Sequence, residues 1–79
     1  MSAESLLLSK IAYYRCLLNL AVKSKSSIAD PQVTELNGWC NGLEEAARIV
    51  GIPHHSISTA KHIGEMRANF PEDSRYQSK

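Results

Sequence analysis

Apolar positions recur every three to four residues along most of this chain, and that period predicts helices. From about Ala3 to Ser24, Leu6, Leu7, Ile11, Tyr13, Tyr14, Leu17, Leu18, Leu20 and Ala21 fill one half of a helical wheel. Ser5, Ser9, Arg15, Asn19 and Lys23 fill the other. Ser2 is a suitable N-cap and Glu4 favours the first turn. An apolar arc of roughly 180° is wider than the ~100° one neighbour covers, so the surplus points to a dimer or a docking face. Lys10 falls in the middle of that arc. It either snorkels from an edge or meets an acid on a partner chain.

A polar connector at Lys23 to Ser27 separates this helix from a second, whose start is marked by Asp30-Pro31. Aspartate caps free amides, and proline at the first helical position loses no hydrogen bond. Gly51 suits the left-handed residue that ends a helix, with Pro53 beyond it. Between them, Asn37-Gly38 and Asn41-Gly42 are both turn dipeptides. Yet Val33, Leu36, Trp39, Cys40, Leu43, Ala46, Ala47 and Val50 stay within one arc of about 140° on an unbroken wheel. A loop would not keep that phase, so one continuous helix is expected; Trp39, an aromatic of the kind that anchors interfaces, is read as filling the core. Gly38, Gly42 and Ala46 then form a ridge of small residues against which another helix can come close.

A third helix is expected from about Ser56 or Ser58 to Asn69, with Ile57, Ala60, Ile63, Met66 and Phe70 inward and Pro71 as its stop. The reading is an all-α fold of three helices: an antiparallel hairpin of two long ones with a shorter third packed across it. Residues 1–70 make one domain. The stretch 71–79 has almost nothing to bury and is read as a mobile tail.

Composition narrows the function. At 79 residues there is room for one core, and a domain of that size buries only about 60% of its unfolded surface. A partner subunit is a common remedy, and a homodimer is the expected assembly. Cys16 and Cys40 read as reduced, core-facing thiols in a cytoplasmic protein. The leucine-rich run from Leu6 to Val22 is broken by Lys10 and Arg15, which argues against both a signal peptide and a membrane span. Net charge is +1 with both signs interspersed, which does not favour a strongly electrostatic partner.

Candidate chemistry is sparse. His54, His55, His62, Cys16 and Cys40 show no spacing that sets two ligands on one metal. Glu44 and Glu45 adjoin and so diverge on a helix. Gly38 and Gly42 lack the company of a phosphate loop. No catalytic residue, cofactor or metal is therefore assigned, and the chain is read as non-enzymatic. What remains is surface. Lys10, Tyr13, Tyr14, Gly38 and Gly42 are the expected protein-binding residues, and the expected role is a small regulator or inhibitor docking on a larger protein. Its short, tail-ended form without catalytic equipment is similar in type to accessory proteins of phages and mobile elements, and an anti-defence role would fit.

One segment supports an alternative. Leu43 to His62 (LEEAARIVGIPHHSISTAKH) resembles a helix-turn-helix, with Ala47 at the crossing, Gly51 at the turn, and Ile52 and Ile57 as anchors. The resemblance implies that His54, His55, Ser56, Ser58, Thr59 and Lys61 face duplex DNA as part of a transcriptional regulator. Against it, the segment that would read bases has one lysine and no arginine. The same alanine–glycine spacing also suits a plain helix end.

Overall fold

The computed structural model describes residues 2–24, 30–73 and 75. Three helices follow one another: α1 (Ala3–Ser24), α2 (Pro31–Ile49) and α3 (His54–Asn69). Ser2 caps α1 as expected, its Oγ accepting from the Ser5 amide at 3.1 Å. Asp30 caps α2, accepting from the Gln32 amide at 2.9 Å, with Pro31 in the first turn. The second helix runs unbroken through Asn37 to Gly42. Its phase-locked apolar arc outweighs two glycines that each cost about 1 kcal/mol relative to alanine.

The end of α2 is locked. Gly51 takes φ +87°, its amide donates to the Arg48 carbonyl at 3.1 Å, and the Ile52 amide donates to the Ala47 carbonyl at 3.0 Å. This crossed pair of bonds is the Schellman arrangement, and it brings Ile52 down beside Ala47 in the core. Helix α3 begins at His54, earlier than the sequence suggested. Pro53 has no N–H to lose, and its carbonyl accepts from the Ser56 and Ile57 amides, so the helix needs no side-chain cap there. Of the expected connector, Lys23 and Ser24 belong to α1; the rest of it and most of the expected tail lie outside the described residues.

Helices α1 and α2 form the antiparallel hairpin. The shorter α3 packs mainly on α1 and only lightly on α2. The core has two parts. Ile11, Ala47, Ile52, Ile57 and Ala60 form one cluster, with Leu7, Leu8 and Leu43 against it. Leu18, Ala21, Val33 and Cys40 form the other, with Tyr14 and Leu36. The α1–α3 crossing depends on small residues. A Cβ on Gly64 would fall against the Ala12 carbonyl oxygen and 2.8 Å from Arg15 Cβ. Gly64 is thus the glycine that admits a neighbouring backbone, a role the sequence reading gave to Gly38 and Gly42. A Cβ at either of those two would meet nothing within 4 Å.

That choice of side explains the first helix's surplus. The side of α1 that meets α3 carries Ala12 and Arg15, although the helical wheel places Arg15 on the polar half. The broad leucine-tyrosine arc therefore keeps part of its width for solvent, with Leu6, Tyr13 and Leu20 exposed.

Candidate protein-docking face

The exposed face begins with an aromatic stack. Tyr14 on α1 and Trp39 on α2 lie parallel across the hairpin, with ring centroids 5.7 Å apart and planes 13° from parallel. Tyr13 meets Tyr14 edge-on at 5.3 Å. Of the three, Tyr14 is half-buried, while Tyr13 remains 55% and Trp39 53% exposed. Trp39 was expected to fill the core. It sits instead at the edge of the α2 apolar arc, where Tyr14 covers one face of the indole and solvent meets the rest.

Beside the stack the surface is hollow. Glu35, Gly38, Trp39, Gly42 and Leu43 line a shallow, mainly apolar groove. A second groove, lined by residues including Leu17, Leu20 and Leu36, continues along the hairpin. The bare glycines leave the indole edge standing proud of its own helix. Lys10 is exposed on α1, one turn before the tyrosines. Five residues predicted for protein binding, Lys10, Tyr13, Tyr14, Gly38 and Gly42, thus share one face of the hairpin. Sequence reasoning weighed Trp39 as an anchor but preferred the core for it and left it off this face. Its two flanking glycines were the signal, because a large aromatic between gaps has little on its own helix to cover it.

The alternative segment is also well ordered. Ala47 is fully buried, Gly51 turns the chain, and Ile52 and Ile57 are in the core. His54, His55, Ser58 and Thr59 are exposed and Ser56 is half-buried. The one lysine among its base-facing candidates is engaged: Lys61 Nζ lies 3.4 Å from Glu44 Oε1. The Thr59 hydroxyl donates to the His55 carbonyl at 2.8 Å.

Glu44 is the chemical surprise. It is 7% exposed, and its carboxylate accepts from Arg15 Nη2 at 2.6 Å while facing Lys61. One acid therefore ties all three helices, answered by a cation from each of the other two. Sequence reasoning set Glu44 aside because Glu45 adjoins it, and placed Arg15 in solvent. A wheel drawn for one helix cannot show which polar residues meet between helices. Cys40, buried nearby, has its thiol pKa raised from 9.0, chiefly by burial, with Glu44 adding to the rise and Arg15 and Lys61 opposing it. Cys16 and Cys40 are both free.

Among the described residues, no group of three or more His, Cys, Asp or Glu side chains is placed to hold a metal ion. No described helix is long and apolar enough to cross a membrane. No known protein family matches the chain, and neither curated proteins nor solved structures give a match.

Proposed function

We propose that this chain is a small, non-enzymatic protein-binding regulator or inhibitor, which docks on a larger protein through the Tyr13–Tyr14–Trp39 face. The observation that carries the reading is the half-exposed Trp39, stacked on Tyr14 beside two open glycines. Aromatic side chains in partly preformed hollows are the usual anchors of protein interfaces, because they bury much area while freezing few rotors. The reading includes a cytoplasmic setting, a homodimeric resting form, no cofactor, and a role of the phage-accessory kind in which docking blocks or redirects the target.

The test is site-specific photocrosslinking in the native host. A benzophenone side chain replaces Tyr13 in one variant and Ser58 in another, and adducts are read by mass spectrometry. Position 13 should reproducibly capture one protein other than this chain, and adding Trp39→Ala should abolish that adduct; adducts of the chain with itself alone would count against a larger target. Capture from position 58 alone would transfer the function to α3.

A second reading, a helix-turn-helix DNA binder, is favoured by one observation: the corner from Ala47 to Ile57 has the burial and the left-handed turn that the motif requires. Gel shifts with duplex DNA at low salt address it. A DNA binder would bind, lose affinity steeply with added salt, and weaken on His55→Ala. The lead reading expects no shift.

A further inference from the structure

We infer that the aromatic face closes on a second copy of this chain, by a two-fold axis lying across the hairpin at the Tyr14–Trp39 stack. The inference rests on reading this face as a docking face and adds its first occupant.

Three observations carry it. The first is spacing. On α1, Leu6, Lys10, Tyr13, Leu17 and Leu20 recur at intervals of four and three. On α2, Glu35, Trp39, Gly42, Ala46 and Ile49 do the same. Alternating four–three spacing is the signature of a seam that packs side chains into the gaps of a facing helix. Here two such seams run side by side, pointing away from the core that α1 and α2 share. Two hairpins laid face to face would make a four-helix bundle, with the bare surface at Gly42 giving room for a facing indole.

The second is area. Leu6, Tyr13, Leu20, Trp39, Ile49 and Val50 are all exposed, Ile49 by 76%. Their open apolar surface is on the order of 600 Å², at the upper end of what a monomer leaves in one patch. A polar rim brings it near the ~800 Å² per partner of a standard interface.

The third is charge. Two unlike charges lie within these seams, Lys10 on α1 and Glu35 on α2, and neither has an ion pair among the described residues. Lys10 is four residues before Tyr14 and Glu35 four before Trp39, about 6 Å along each helix. The helices are antiparallel, so the two charges lie on opposite sides of the stack. A two-fold axis there brings Lys10 of each copy to the height of Glu35 of the other, on the diagonally opposed helix, where the two long side chains reach toward each other. An isologous interface needs this kind of self-complementarity, which a face built only for a foreign partner does not. The second copy and a larger target then compete for one surface, so dilution favours docking.

Sedimentation velocity across about 1 to 100 µM tests this, a range that spans weak to moderate affinity for a patch of this size. The wild-type chain should dimerise. Lys10→Glu alone and Glu35→Lys alone should each weaken the dimer by about tenfold or more, since both contacts become like-charged. An equimolar mixture of the two variants should recover it, because every mixed pair restores both contacts, and the double variant should recover it likewise. Trp39→Ala should cost at least ~30-fold. All these positions are exposed, and circular dichroism checks that the helices persist. A wild-type chain that stays monomeric overturns the dimer and leaves target docking to the crosslink. A dimer indifferent to Trp39→Ala, or single variants that associate no better mixed than apart, overturns the interface.

Discussion

Glu44 shows how much a single side chain can decide here. A carboxylate at 7% exposure is costly unless its charge is answered, and removing one member of a buried pair leaves the other uncompensated. Glu44→Ala should therefore lower unfolding free energy by about 3 kcal/mol in urea denaturation, leaving Arg15 part-buried without its anion. Lys61→Ala should cost under about 1 kcal/mol, because its side chain is 35% exposed and solvent screens the contact. Cys40 gives a pH signature. Its thiol pKa is raised in the folded state, so the folded chain holds that proton more tightly than the unfolded one. This contribution is complete below about the ordinary value of 9.0 and is lost as pH rises from there through the folded pKa. Thermal denaturation should show stability falling more steeply with pH above 9.0 in the wild type than in Cys40→Ala. Parallel slopes would remove Cys40 from the account.

At the scale of the helix, the glycines separate two uses of one residue. Gly42 is mid-helix with open space around it, so Gly42→Ala should raise stability by about 1 kcal/mol through helix propensity. Gly64 is also mid-helix, but its missing side chain is what lets the α1 backbone approach. Gly64→Ala should lower stability by about 1 to 3 kcal/mol despite the same gain in propensity, because an adjoining carbonyl must move. Opposite signs for one substitution, read by chemical denaturation, decide whether the α1–α3 crossing is as close as described. These positions also mark where sequence legibility stops. Helix phase, the caps at Ser2 and Asp30, and the Gly51 turn are local, and all were readable from spacing and capping chemistry. Which helix meets which is not local. Nothing in the wheel of α1 says that the side with Ala12 and Arg15 is covered, so Gly64 passed unnoticed and Trp39 was assigned to a core it only borders. Of the proposed docking face, Lys10, Tyr13, Tyr14, Gly38 and Gly42 are picked out in the sequence by surplus apolar width and unusual glycines. The indole at its centre emerged only in three dimensions.

For the molecule as a whole, the arrangement of surfaces divides the two functional readings. The aromatic face lies on the hairpin, and the exposed histidines and hydroxyls lie on α3 around its N-terminal turns. Salt separates them: raising it should leave hydrophobic docking through Trp39 largely unchanged, whereas phosphate contacts would weaken as counterions return. Fluorescence quenching of the single tryptophan by a small neutral quencher gives a further check. Trp39 should be accessible in dilute protein and shielded as concentration rises, and unchanged accessibility would argue that the face remains bare.

Helix α1 is the keel of this small molecule. Each of the other helices leans on it and hardly on the other, so neither half has an independent route to a closed interior. Loss of α1 contacts on one flank exposes residues that also support the opposite flank, as Ile11 does between Ala47 and Ile57. Melting should therefore be a single event, with calorimetric and van't Hoff enthalpies equal and no surviving hairpin after α3 departs.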